Sequence, residues 1–198
     1  MKKRRIAADI AYISVSVALI AVCSWISVPS AVPFTLQTFA VFLALNVLGG
    51  KRGTIAVAVY ILLGAVGVPV FSGFKGGAAA LFGVTGGYIA GFLFAALVYW
   101  TAETVFGRST AVVAISMALG LTVCYAFGTA WFTVVYSDGD GKAGFLQALT
   151  MCVLPYILPD ALKIFMAVYI GNRVKKFVNA DSRKEARPVG GTRNGTPR

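Results

Sequence analysis

Between residues 146 and 171 runs a hydrophobic stretch long enough to cross a bilayer, and it contains both an acid and a base. The pair lies in Leu154-Pro155-Tyr156-Ile157-Leu158-Pro159-Asp160-Ala161-Leu162-Lys163. A charged side chain at bilayer depth costs at least about 2.5 kcal/mol on insertion scales, so it must turn into a protein interior and find partners there. On a helix the i,i+3 spacing puts Asp160 and Lys163 on one face, with Tyr156 one turn earlier on the same stripe. Pro155 and Pro159 each lack a backbone donor, which leaves the carbonyls of Met151 and Pro155 without helical partners beside the charges. Two readings follow: a recognition site in the interior of a helix bundle, or a structural ion pair over a proline kink.

The rest of the chain supports a bundle. Of 198 residues, 58% are hydrophobic and only 13% charged, with mean hydropathy +0.80, far more apolar than a soluble domain of this size needs. The chain is expected to be an all-α integral membrane protein. The net charge of +11 sits mostly at the two ends and in short turns, where the positive-inside effect would put it, so nucleic acid is not indicated as a partner. Histidine is absent, which removes HExxH zinc sites and the Ser-His-Asp and Cys-His nucleophile systems. In Gly50-Lys51-Arg52 and Gly141-Lys142-Ala143 the lysine is not followed by Ser or Thr, so neither is a P-loop for ATP. Cys23, Cys124 and Cys152 lie in apolar segments without CxxC spacing and read as core filler. No enzyme, metal or cofactor reading is left with its parts.

Six apolar segments are expected as helices: 6–28, 34–48, 54–68, 87–106, 111–136 and 147–172. The second and third are short for a hydrocarbon core of about 30 Å but can span it if bilayer or neighbours adjust. The first follows a basic stretch, exceeds a signal-peptide core in length and lacks a clear A-x-A site, so it reads as an uncleaved helix. Along it Ala7, Ala11, Ser14, Ala18 and Ala21 line a smooth groove, for a partner helix or for internal packing. The sixth is expected as one kinked helix, because starting it at Pro159 would leave roughly 22 Å, too short to span.

The third connection is rich in glycine and aromatic residues: Phe71-Ser72-Gly73-Phe74-Lys75-Gly76-Gly77, then Phe82-Gly83-Val84-Thr85-Gly86-Gly87-Tyr88. Glycine lets backbone N–H groups approach a ligand, and a helix opening at Gly86-Gly87 would favour an anion at its N-terminus. Lys75 could hold a carboxylate there; a plain membrane-surface loop is the alternative. Glu103 reads as structural, and Trp131 as either a stacking surface or an interface anchor. The 137–142 turn echoes a calcium loop only weakly.

With six spans both termini share a side, and their basic residues place them in the cytoplasm together with Lys51, Arg52 and Arg108, while the acidic 138–140 turn lies outside. Lys75 is the exception, a cation on the outer side. A pocket opening outward, roofed by the third connection and floored by Asp160 and Lys163, would account for it. Residues 1–176 then form one transmembrane substrate-binding domain, and 177–198 a basic cytoplasmic tail too poor in apolar residues to build a core, expected to be disordered.

Several motifs, in order, resemble those of the BioY family, the biotin-specific S components of energy-coupling-factor (ECF) vitamin transporters. Val32-Pro33-Phe34-Thr35-Leu36-Gln37-Thr38 is similar to V-P-x-T-L-Q-T, and Leu48-Gly49-Gly50-Lys51-Arg52-Gly53 to L-G-P-[KR]-R-G. Gly67-Val68-Pro69-Val70-Phe71 resembles G-x-P-V-F, and Pro159-Asp160-Ala161-Leu162-Lys163 the final [PG]-D-x-x-K. The resemblance covers roughly residues 10–172; Gly50 and Val84 stand where the family has proline, which bears on loop rigidity.

The resemblance implies an ECF S-component fold in a bacterial cell membrane, surrounded by lipid. Such a subunit captures biotin from outside with high affinity and delivers it inward with a transmembrane coupling subunit and two ATP-binding subunits. It implies that Asp160 accepts ureido N–H groups and that Lys163 meets the ureido carbonyl or keeps Asp160 ionised. Gln37 would complete ring recognition, Tyr88 and Trp131 supply apolar walls, and Lys75 take the carboxylate tail. Ala7 and Ala11 would dock on the coupling subunit. The alternatives are a solitary, ATPase-independent biotin transporter and an S component for another vitamin such as thiamin or riboflavin.

Overall fold

The computed structural model describes residues 2–29, 32–138, 141–142 and 144–185. Its helices are α1 (Lys2–Trp25), α2 (Gln37–Leu48), α3 (Gly50–Ala65), α4 (Ala78–Phe82), α5 (Gly86–Phe106), α6 (Thr110–Val135), α7 (Phe145–Cys152) and α8 (Ile157–Glu185). Among the described residues four stretches are long and apolar enough to cross a membrane: Ile6–Trp25, Gly86–Phe106, Thr110–Val135 and Phe145–Lys176, the last made of α7, a 3-10 turn and the larger part of α8. α2 and α3 have 12 and 16 residues. That is about 18 and 24 Å at ~1.5 Å per residue, less than a hydrocarbon core.

The shortness of α2 goes with its position. It packs against α1, α3, α5 and α8, and most of its residues are buried, Val41, Phe42 and Leu45 almost completely. A helix enclosed in this way is apolar on more than one face, as α2 is between Phe39 and Leu45. α5 and α6 pack along each other and complete the wall around α2 and α8.

Several boundaries differ from those expected. α1 stops at Trp25 because Ser27–Val28 (β1) pairs antiparallel with Phe34–Thr35 (β2), in the register Ser27 to Thr35 and Val28 to Phe34. Two-residue strands replace the end of one expected helix and the start of the next, around prolines that cannot donate to a helix. α3 starts at Gly50 rather than 54, since Gly49 at φ +88° reverses the chain in one residue, a conformation glycine adopts freely. The third connection contains α4 and a 3-10 turn at Ser72–Phe74. The expected sixth helix is broken at Val153, and α8 alone has 29 residues because it continues to Glu185. The tail expected from 177 therefore begins on the last turns of α8, and its remainder, 186–198, lies outside the described residues, as do 139–140 of the acidic turn.

Polar contacts gather the basic turns at one end of the bundle. Glu103 pairs with Arg108 and accepts the N–H of Gly50, so that a carboxylate caps the start of α3, where helix polarity favours it. Arg108 donates to the Asn46 carbonyl at 2.8 Å, and Asn46 donates to the Ala167 carbonyl at 3.1 Å. Arg52 meets Asp9 of α1 at 3.0 Å. Glu103 thus has the structural role expected of it, and Asp160, Lys163 and Lys75 lie elsewhere, around a cavity.

Candidate functional site

Asp160 belongs to the first turn of α8. Its place there follows from the two prolines: Pro155 opens the 3-10 turn Leu154–Tyr156, and Pro159 occupies the first turn of α8, where a missing N–H leaves no helical bond unmade. The prolines start a helix instead of kinking one. Consequently the carboxylate sits at the positive end of the helix, a second source of stabilisation beside its counter-ion.

Both members of the pair are buried, Asp160 at 4% and Lys163 at 6% exposure. The Lys163 ammonium donates to Asp160 Oδ1 at 2.7 Å and to the Thr35 carbonyl at 2.6 Å, and lies 3.7 Å from the centroid of the Phe34 ring. The Tyr125 hydroxyl donates to Asp160 Oδ2 at 2.5 Å. Buried charges are tolerated when paired and hydrogen-bonded, and here both carboxylate oxygens and two ammonium donors are engaged. An ionised carboxylate has about four acceptor positions, so two remain for a ligand.

The pair forms part of the lining of a cavity whose space between atoms is ≈ 820 Å³, counting the part open to solvent. Phe34, Tyr88, Phe92 and Tyr156 contribute aromatic surface, Gln37 and Thr35 come from the start of α2 and the strand before it, and Phe71, Ser72 and Lys75 from the third connection. Phe34 and Tyr156 stack at 5.6 Å with an interplanar angle of 12°. The lining offers aromatic and apolar side chains together with a carboxylate, an ammonium and an amide, and in addition the exposed ammonium of Lys75.

Five of the residues singled out from sequence, Asp160, Lys163, Gln37, Tyr88 and Lys75, line this one cavity. Trp131 is not in its lining: the indole N–H donates to the Gly83 carbonyl at 3.0 Å and the side chain lies against Gly87. A Cβ on Gly87 would collide with Trp131, so glycine is required there for close packing. The N-terminus of α5 has little to offer an anion, since the N–H groups of Gly86, Tyr88 and Ile89 already bond backbone carbonyls. Lys75 is exposed and, among the described residues, has no ion-pair partner. Ala7 and Ala11 lie on the exposed side of α1, with Ser14 and Ala18; Ala21 turns into the core.

Sequence reasoning missed Tyr125 and Phe34 as neighbours of the charges. A tyrosine in the middle of an apolar helix implies a partner for its hydroxyl, but nothing in its spacing says which helix supplies it.

Comparisons with known proteins agree on one family. A family model described as the BioY family matches residues 1–180. The chain is 45% identical over 161 residues to the biotin transporter BioY of Thermotoga maritima, covering 80% of this chain and 90% of that protein. It is 39% identical over 170 residues to the probable biotin transporter BioY of Pyrococcus horikoshii, covering 85% and 97%. Among solved structures it is similar to a 2.1 Å crystal structure of the S component for biotin from an ECF-type ABC transporter. The TM-score is 0.78 and the identity 26%, over 89% of this chain and 95% of that one.

Proposed function

The chain belongs to the BioY family, and from that premise we propose that it is the membrane-embedded biotin-binding subunit of an ECF transporter. It captures biotin from outside and passes it inward with a transmembrane coupling subunit and two ATP-binding subunits, which supply the hydrolysis that this chain does not perform. It lies in the bacterial cytoplasmic membrane with six spans, α2 and α3 being the short ones, and with both termini on the cytoplasmic side, where the basic turns are attracted.

The observation that carries this reading is the buried Asp160–Lys163 pair in the wall of an open cavity. The ureido ring of biotin has two N–H donors and one carbonyl acceptor. Asp160 keeps acceptor positions for an N–H, Lys163 pairs with it and offers a donor to the carbonyl, and Gln37 adds an amide. Phe34, Tyr88 and Tyr156 suit the thioether bicycle, and Lys75, a cation with no carboxylate partner among the described residues, suits the tail. Ala7 and Ala11 face outward without bulk, which suits close approach of a coupling subunit.

Equilibrium binding of labelled biotin to the detergent-purified chain tests the ligand. Saturable binding displaced by unlabelled biotin but not by thiamin or riboflavin supports the reading, and binding of another vitamin in its place overturns it. Uptake in cells lacking every ECF ATPase tests the coupling. Uptake should disappear there, whereas persistence would make the chain a solitary transporter.

A further inference from the structure

Tyr88 stands between α6 and the cavity that it lines. Its ring fills a notch in that helix: a Cβ at Gly128 would overlap the ring atoms Cγ, Cδ1 and Cε1. The Tyr88 hydroxyl lies 3.2 Å from Thr129 Oγ1, and the Tyr88 carbonyl accepts from Cys124 Sγ at 3.6 Å. One stretch of α6, residues 124–129, therefore holds this residue by its ring flank, its tip and its backbone. The same stretch includes Tyr125, whose hydroxyl donates to Asp160 Oδ2. Gly128 lies within α6 with an ordinary helical backbone, so no turn calls for glycine there, and inside a helix glycine is less favourable than alanine. What its missing side chain supplies is room for the Tyr88 ring.

A methyl group at 128 has to displace something, and the surroundings decide what. Over the next two turns of α5 the two helices are in backbone contact: a Cβ on Gly91 would come within 3.0 Å of Cys124 Cα, and one on Gly120 within 3.2 Å of Ala95 Cα. Packing this close does not absorb an added carbon without moving a side chain. Thr129, at 0% exposure, blocks a retreat along α6. The open space that the Tyr88 ring adjoins is the cavity.

We propose that Gly128 is a positioning residue for substrate specificity: by lacking a side chain it recesses Tyr88 into α6, and the recess gives the cavity the width that two fused rings need. The proposal rests on the biotin reading and deepens it, since the bicycle is the widest part of that ligand. Gly128 is outside the cavity lining and acts through Tyr88. In Gly128→Ala the ring moves toward the cavity, and a head of two fused rings loses more room than a head of one.

The test compares biotin with desthiobiotin, which keeps the ureido ring and the carboxylate but lacks the thioether ring. Both are titrated calorimetrically into wild type, Gly128→Ala, Tyr88→Leu and the double variant, with melting temperature recorded for each. Gly128→Ala is expected to weaken biotin at least about tenfold, the lower end of what one methylene does in a fitted pocket, and desthiobiotin less than about threefold. In the Tyr88→Leu background the added methyl falls into vacated space, and Gly128→Ala should change biotin binding by less than about twofold. Equal losses for the two ligands, or an undiminished Gly128→Ala effect in the Tyr88→Leu background, would overturn the proposal and leave Gly128 a packing residue. Should Gly128→Ala fail to fold, Tyr88→Leu tests the wall on its own with biotin sulfone, whose thioether ring carries two more oxygens. Removing the tyrosine should shift the preference from biotin toward the sulfone; an unchanged ratio contradicts a width set at Tyr88. Failure of the wild type to bind biotin at all would instead overturn the ligand assignment.

Discussion

Replacing Asp160 by Asn preserves the shape of the side chain and removes its charge, and the structure sets the size of the consequence. Asp160 now accepts from Lys163 at 2.7 Å and from Tyr125 at 2.5 Å, and its remaining acceptor positions face a cavity. A hydrogen bond to a charged group is worth about 1.5–3 kcal/mol, so losing the charged acceptor should weaken biotin roughly 10- to 150-fold. The variant also leaves the Lys163 ammonium with neutral acceptors only, and removing the counter-charge of a buried pair can cost about 3–5 kcal/mol of stability. Binding and folding therefore have to be separated. Asp160→Asn combined with Lys163→Met leaves no orphaned charge and is expected to melt closer to wild type than Asp160→Asn does. It should nevertheless bind biotin far more weakly, because neither charged ring partner is left. Titration calorimetry with biotin and a melting curve, both on detergent-purified protein, read the two quantities. Wild-type affinity in the double variant would refute the reasoning and reduce the pair to a structural one.

Three further outcomes are expected. Tyr125→Phe removes the donor on Asp160 Oδ2 and should weaken biotin several-fold, about 1 kcal/mol, with little change in melting temperature; an unchanged Kd in calorimetry would show that the hydroxyl only fills space. Lys75→Ala should weaken biotin by no more than about fivefold, since the side chain is exposed and screened, and should leave biotin amide unaffected; equal losses for acid and amide would exclude a role at the carboxylate. Ala11→Leu should abolish uptake in cells while sparing biotin binding by the purified subunit, and loss of both would place Ala11 in internal packing.

The chemistry of the site was legible in sequence where a residue was out of place for its surroundings. Asp160 and Lys163 are charges in an apolar run and Lys75 is a cation in an unexpected connection; all three line the cavity. Trp131 had no such mark: an indole satisfies itself with any nearby carbonyl, and here that is Gly83. Tyr125 was not distinguishable from other tyrosines, because its meaning comes from a partner on another helix, Asp160 on α8. The fold showed the same division. Long apolar segments were plain, but the ends of α1 and α2 were not, since a two-residue ladder between β1 and β2 has no periodicity to read. The expected sixth helix is interrupted at residues 153–156, but the membrane-length requirement that argued for one kinked span is met by α7, the 3-10 turn and the start of α8 together, Phe145–Lys176.

Whether the buried charge pair reads the ureido head of biotin is tested most directly by a structure of the chain with biotin bound. A ureido nitrogen should lie within about 3.2 Å of an Asp160 carboxylate oxygen. A ring bound elsewhere in the cavity, with Asp160 contacting only Lys163 and Tyr125, would contradict it.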